Sequence, residues 1–228
     1  MNSVQEKTIE LLKNCVIEGN ADQAKKAAED VLRTGSDPMI AFRDGLISAM
    51  SIVGEKMATG EMFVTQVMLS ADAMKSAMEV LKPRIADRGF REIMRGTIVI
   101  GSAQGDIHDI GKNIVATMLE ASGFEIHDMG TDVPATKFVD QAEAVKADII
   151  ASSALLSTTQ TYQQELIEEL KNRKVRNLYK VMVGGGIVTK EWADAIGADG
   201  YGKDAAEAVK IATMLVKDRQ ALGAPSVQ

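Results

Sequence analysis

Apolar residues return at three- and four-residue intervals from the N-terminus to about Ile85, the spacing of helices that bury one stripe. Four stripes stand out: Ile9, Leu12, Cys15 and Val16; Ala24, Ala27, Ala28, Val31 and Leu32; Ile40, Phe42, Leu46, Met50, Val53 and Met57; and Val67, Ala71, Met74, Met78 and Leu81. They break at Gly19-Asn20, at Thr34-Gly35-Ser36-Asp37-Pro38 and at Thr59-Gly60, and the last ends near Lys82-Pro83. Asp37 suits the N-cap of the third helix, and Pro38 its first turn, where a missing N–H costs nothing. Connections this short make neighbouring helices antiparallel, so the pattern predicts a four-helix bundle.

Past about Gly96 the period changes. Segments of strand character at Thr97–Ala103, Glu125–Gly130, Asp148–Ser153 and Lys180–Val183, and a short one near Gly200, alternate with helical stretches starting at Lys112, Pro134, Thr159, Glu191 and Ala205. That alternation predicts a parallel sheet with right-handed crossovers. The charged stretch Pro83–Met94, which contains Gly89, reads as a linker, giving two expected domains over residues 1–90 and 91–228.

Composition narrows the function classes. A chain of 228 residues that is 46% hydrophobic can bury two cores, and a net charge of −6 without a basic arm argues against binding nucleic acid. The polar start Met1-Asn2-Ser3 is not a secretory leader, and no apolar run is long enough to span a bilayer, so a cytoplasmic location and no membrane partner are expected. The single cysteine, Cys15, lies on an apolar stripe and reads as a buried structural thiol.

The stretch Gly105-Asp106-Ile107-His108-Asp109-Ile110-Gly111 carries the candidate chemistry. It sets one of only two histidines between glycines at the carboxyl end of a predicted strand, where open α/β sheets bind ligands. Imidazole coordinates metal through one nitrogen, and the other needs an acceptor to fix its tautomer. Asp106, two residues earlier, is placed to be that acceptor. With no second histidine nearby and no cysteine, Zn²⁺ lacks its usual ligand set, whereas one axial histidine suits a metal whose other positions a macrocycle fills.

Asp106-x-His108-x-x-Gly111, then Ser153-Ala154-Leu155, then Gly184-Gly185-Gly186 resembles the corrinoid-binding pattern DxHxxG, SxL and GG. The longer match, Gly105 to Val115, is similar to the cobalamin-binding region of methionine synthase and to the corrinoid proteins of methylamine and quaternary amine methyltransferase systems. The resemblance implies a helical bundle cap ahead of a Rossmann-like (flavodoxin-like) parallel-sheet domain that binds cobalamin or a related corrinoid. His108 would be the lower axial ligand to cobalt in place of the cofactor's own dimethylbenzimidazole, whose tail would thread into the sheet domain. Asp106 and Thr159 would form a relay behind it and share the catalytic role. Gly105, Asp109, Ile110 and Gly111 would line the loop, Ser153 would meet the displaced base, and Leu155, Gly184, Gly185 and Gly186 would accommodate the tail.

The resemblance also implies a function: a methyl carrier with no turnover of its own, charged by a substrate-specific methyltransferase, with methylated or quaternary amines preferred as donors. It would pass the methyl group to a second methyltransferase acting on tetrahydrofolate or coenzyme M, and a corrinoid reductive activase would restore it. Met57, Met62, Phe63 and Met68 lie where related caps cover the upper cobalt face, and Asp87-Arg88-Gly89 is the expected hinge.

Plainer roles remain open for several residues. Thr159 could be a helix N-cap, Gly184–Gly186 a strand-end turn, Leu155 a core leucine, and Gly101 a site of close backbone approach. His127 has no motif around it and reads as structural or surface. Two rival functions are a mutase subunit, against which the helical region and the Gly-Asp-Ile-His-Asp-Ile-Gly-Lys-Asn form of the loop both speak, and a cobalamin-sensing regulator, which needs an output domain not seen beside the sheet.

Overall fold

A computed structural model describes residues 3–85 and 94–221, which form two compact units. The first holds four helices: α1 (Ser3–Ile17), α2 (Ala21–Arg33), α3 and α4 (Val64–Leu81). The third, α3, opens as Pro38–Ile40, winds through a π-helical stretch at Ala41–Ile47 and continues as Ser48–Ala58. Its start is as expected, because the Asp37 side chain accepts from the Met39 N–H at 2.8 Å and Pro38 occupies the first turn. The π stretch was not expected. The four helices bury Leu12, Val16, Ala28, Val31, Phe42, Leu46, Val53 and Leu81 completely or nearly so. Cys15 is among these buried residues, as its stripe implied, and burial pushes its thiol pKa up.

The second unit is a five-stranded parallel sheet: β1 (Thr97–Ser102), β2 (Glu125–Asp128), β3 (Ile149–Ser153), β4 (Lys180–Gly184) and β5 (Gly200–Gly202). Between and after these strands run α5 (Ile110–Ala121), α6 (Ala135–Val145), α7 (Ser157–Asn172), α8 (Lys190–Ile196) and α9 (Ala205–Ala221). The strand order β2-β1-β3-β4-β5 is the doubly wound flavodoxin-like order, whose direction of winding reverses between β1 and β3. Of the linker expected at Pro83–Met94, residues 86–93, and with them the expected hinge, lie outside the described residues.

Side-chain alternation divides the core. Val99, Ile150, Val181 and Val183 face Phe138, Val139, Leu166 and Ile167 of α6 and α7, while Ile98, Ile100, Ile149 and Met182 face Leu119 of α5 and Leu215 and Val216 of α9. Both faces are covered, which is why β1, β3 and β4 read as near-continuous apolar runs. Gly101 belongs to the first face. A Cβ there would lie 2.9 Å from the Phe138 ring, so the space its missing side chain leaves is filled by protein, not by a ligand. No described helix is long and apolar enough to cross a membrane.

Candidate functional site

The parallel register brings Ser102, Ser153 and Gly184 side by side at the carboxyl ends of β1, β3 and β4, next to the reversal point. From there the chain enters the Asp106–Gly111 loop. Gly105 turns it with φ of +77°, a conformation that suits glycine, and the Asp106 N–H donates back to the Ala103 carbonyl at 2.9 Å.

Asp106 is the polar centre of this loop. It is fully buried, and its carboxylate accepts four hydrogen bonds: from the His108 backbone N–H at 3.0 Å, from His108 Nδ1 at 2.8 Å, from the Leu155 N–H at 2.7 Å and from Thr159 Oγ1 at 2.6 Å. Burial alone would raise its pKa. The hydrogen bonds from Thr159, Leu155 and His108 outweigh that and hold it well below the usual carboxylate range. The group is therefore an ionised acceptor, which makes His108 Nδ1 the donor and leaves Nε2 as the ring nitrogen outside this bond. The imidazole is 46% exposed, so Nε2 is open to a ligand.

The loop backbone is fixed as firmly as its side chains. Ser102 Oγ, buried, donates to the His108 carbonyl at 2.7 Å, and Asp109 receives the Asn113 N–H at 2.7 Å and the Asn113 amide at 3.2 Å, securing the first turn of α5. Thr159 is the third residue of α7. Its hydroxyl accepts from the Leu156 N–H at 3.3 Å and donates to Asp106 at 2.6 Å; the N-cap role expected as its alternative falls to Leu156 instead, because the helix already starts at Ser157.

Leu155 meets the site through its backbone N–H, and its side chain lies over Gly186, where a Cβ would come within 2.6 Å of Leu155 Cδ1. Gly185, with φ of +118°, is packed so closely that a Cβ would sit 1.9 Å from the Ala154 carbonyl oxygen. Gly184 abuts the Gly202 carbonyl. Gly111 differs from these: a Cβ on it would meet nothing within 4 Å. Ser153 is half-buried and, by alternation with Ile149 and Ala151, faces the α5 and α9 side. The buried strand-end hydroxyl with no partner among the described residues is Ser152 Oγ, on the opposite face.

Around this polar centre the surface is apolar. Ile107 and Ile110 are 75% and 78% exposed, and Leu155, Leu156 and Ile187 are more than 40% exposed; apart from Met214 these are the exposed large hydrophobics described in the sheet unit. A half-exposed, oriented imidazole inside an apolar rim suits a broad, flat, apolar ligand that carries its own metal. The described residues contain no group of three or more His, Cys, Asp or Glu able to hold a metal ion by themselves. His127 stays apart, with Nε2 3.7 Å from Glu125.

Four further residues shape the site without having been legible in its motif. Ser102 and Asp132 hold the loop backbone. Lys112, 3% exposed, donates from Nζ to both Asp128 oxygens at 2.6 and 2.7 Å and to Asn113 at 2.7 Å. Gln163, fully buried, donates to the carbonyls of Ser152 and Gly184 at 2.9 and 3.1 Å and accepts from Trp192 Nε1 at 3.2 Å, tying together the strand ends below the glycine turn. The only sequence signal for the last was a polar residue on the apolar stripe of α7.

Comparison with known proteins agrees with this geometry. Residues 96–210 and residues 8–82 each match a family model described as a B12 binding domain. The chain is 44% identical to a corrinoid protein of Desulfitobacterium hafniense and 43% identical to trimethylamine corrinoid protein 1 of Methanosarcina acetivorans, over 90% of this chain and 95% of each relative. Among solved structures, it is similar to the methanol:cobalamin methyltransferase complex of Methanosarcina barkeri, with a TM-score of 0.85 and 30% identity over 93% of this chain and 80% of that one. A cobalamin-binding protein from Desulfitobacterium hafniense matches with a TM-score of 0.71 and 30% identity over 91% of this chain and 98% of that one.

Proposed function

Because the chain belongs to the B12-binding corrinoid proteins, we propose that it is a methyl carrier, charged by a substrate-specific methyltransferase and discharged by a second methyltransferase acting on tetrahydrofolate or coenzyme M. When bound, the corrinoid supplies a nucleophilic metal that exchanges the methyl group. The chain's own residues bind, orient and tune. His108 offers Nε2 as the lower axial ligand, and Asp106 fixes its tautomer and ring orientation and raises its basicity through the Nδ1–H bond. Thr159 and the Leu155 N–H keep that carboxylate ionised and stationary. Ile107, Ile110, Leu155 and Ile187 would give the macrocycle an apolar surface to pack against, and Ser153 with Gly184–Gly186 would line the path of its nucleotide tail.

One observation carries this reading: a buried carboxylate with four donors sets a single half-exposed imidazole in an apolar rim at the reversal point of the sheet. The preference for methylated or quaternary amines as donors is supported by relatives named for trimethylamine and dimethylamine, at 43% and 42% identity. A reductive activase is the third partner such a carrier requires.

The test begins with the full chain reconstituted with hydroxocobalamin. Electron paramagnetic resonance of the Co(II) state should show one axial nitrogen in the wild type and none from protein in His108→Ala; equal splitting in both removes His108 from the role. Methylation of the loaded protein by cell extract with a panel of donors then addresses the substrate. Charging by methanol or an aryl methyl ether alone rejects the amine preference, and no charging by any donor rejects the carrier.

A further inference from the structure

We infer that Asp132, in the loop between β2 and α6, is a positioning residue for the axial histidine, acting as a brace on the backbone of the Asp106–Gly111 loop; the inference rests on His108 being that ligand. Asp132 is remote from the motif in sequence and its residue is exposed, yet it makes two bonds to the ligand loop. Its carboxylate accepts from the Gly105 N–H at 2.6 Å, and its own N–H donates to the Asp106 carbonyl at 2.9 Å. These bonds grip the two residues immediately before Ile107-His108.

The backbone of Asp132 supports the assignment. Its φ is +55°, left-handed in a non-glycine residue, a conformation that persists where the surroundings over-determine it. Gly105, its partner, has φ of +77°, so two left-handed residues face each other across the pair of bonds. The rest of the loop is anchored too. Gly130 accepts the Ser102 N–H at 2.9 Å, Val133 donates to the Ser102 carbonyl at 3.0 Å, and Asp128, held by the buried Lys112, accepts the Gly130 N–H at 2.8 Å. The brace therefore runs from the α5 helix through Lys112, Asp128 and Asp132 back to the residue before Asp106. A glycine at 132 would satisfy the left-handed φ with less strain, so conformation alone does not call for an aspartate. The carboxylate aimed at Gly105 does.

That distinction designs the experiment. The full chain and its Asp132→Asn, Asp132→Gly and Asp132→Ala variants are reconstituted with hydroxocobalamin, and three quantities are read: corrinoid affinity, the fraction of Co(II) centres with axial nitrogen splitting, and amide hydrogen exchange at Gly105 before reconstitution. Asn keeps an acceptor and tolerates the conformation, so it should match the wild type. Gly should lose affinity on the order of 10-fold, the low end of what losing an outer partner of a metal ligand costs, since Asp132 acts on His108 only through Gly105 and Asp106. It should also show a reduced nitrogen-coordinated fraction and faster exchange at Gly105, and Ala should behave as Gly or worse. If Gly matches the wild type in splitting and exchange, Asp132 is merely a tolerated turn residue and the inference fails. If the wild type itself lacks protein-derived splitting, the axial role of His108 has failed instead, and the brace has no ligand to position.

Discussion

The carboxyl edge of the sheet and the turn between α3 and α4 both expose large apolar side chains, but they are held in different ways. At the sheet edge Ile107 and Leu155 flank a buried carboxylate whose four hydrogen bonds dictate where each backbone segment lies. At the α3–α4 turn Phe63 is 72% exposed, Met68 and Leu69 in the first turns of α4 are also exposed, and the side-chain bonds are short-range and solvent-exposed, from the Phe63 N–H to Gln66 Oε1 at 3.0 Å and from Thr59 Oγ1 to the Lys56 carbonyl at 3.1 Å and to Glu61 Oε1 at 2.8 Å, with none directing the ring. Directional bonding restricts residue type severely: few side chains could replace Asp106 or Thr159. Apolar exposure restricts only size, so the sheet edge leaves a signature in the sequence and the helical turn does not.

Two glycines of the sheet unit differ in what they face, and the first of them should give the largest effect of all. Gly185→Ala would drive a Cβ into the Ala154 carbonyl in a conformation that L side chains rarely adopt, and should destabilise the unit on the order of 3–5 kcal/mol in urea unfolding. Gly111→Ala should do the reverse before cofactor is added. Its Cβ meets nothing, and alanine in the first turn of α5 favours the helix by up to about 1 kcal/mol. On the proposed placement of the corrinoid the macrocycle would approach through the same open space, so corrinoid affinity should fall while the unloaded protein gains stability. Equal affinity in Gly111→Ala and wild type would mean that Gly111 faces solvent, not ligand.

Next in size is the carboxylate relay. Asp106→Asn places an NH₂ among four donors and should cost about 3 kcal/mol, whereas Thr159→Val, which removes one donor, should cost about 1.5 kcal/mol. Corrinoid affinity and reduction potential should follow the same order. The effect of pH has a defined sign. Asp106 has a folded pKa below its unfolded value of about 3.9, so its contribution is fully present above that value and is lost as the pH falls through the folded one. The stability difference between wild type and Asp106→Asn should therefore be flat from neutral pH to about 4 and shrink below it. A difference that shrinks already between pH 7 and 5 would show that the carboxylate is not held low.

Much of this was legible from the chain. The β-branched runs located β1, β3 and β4 because both faces of the sheet are buried, and the motif located Asp106 and His108 because their bond is local in sequence, whereas Thr159, 53 residues from Asp106, was reached only through the family resemblance. The π stretch at Ala41–Ile47 left no trace, since its buried Phe42 and Leu46 stand four residues apart, a spacing that an α-helix accommodates as well. The start of α5 at Ile110, two residues before the expected Lys112, reflects helix geometry already taken up within the ligand motif. Lys112 was invisible for a different reason. A pattern reading sends lysine to solvent, and only tertiary structure reveals the Asp128 carboxylate that makes its burial tolerable. Asp132 reaches Gly105 across 27 residues and nothing local distinguishes it from any loop aspartate, while Gln163 showed only as a polar residue on an apolar stripe, which does not say what it bonds.

The smallest thermodynamic effect should be at Phe63, and it tests the contrast between the two regions most directly. Because the ring is exposed and bonded to nothing, Phe63→Ala should leave the stability of the helical unit within about 0.5 kcal/mol of the wild type, unlike a core truncation such as Phe42→Ala, which should cost about 3–5 kcal/mol. An exposed aromatic that contributes nothing to its own fold is free to serve another surface, and the resemblance implies that this turn shields the reduced cofactor. Phe63→Ala should then reoxidise faster than wild type in stopped-flow measurements on the Co(I) state, with unfolding curves that superimpose. Unchanged reoxidation would assign the ring to surface alone. A loss of helical stability comparable to that of Phe42→Ala would instead place it in the core, and the distinction between an edge held by a buried carboxylate and a turn whose ring no bond directs would collapse.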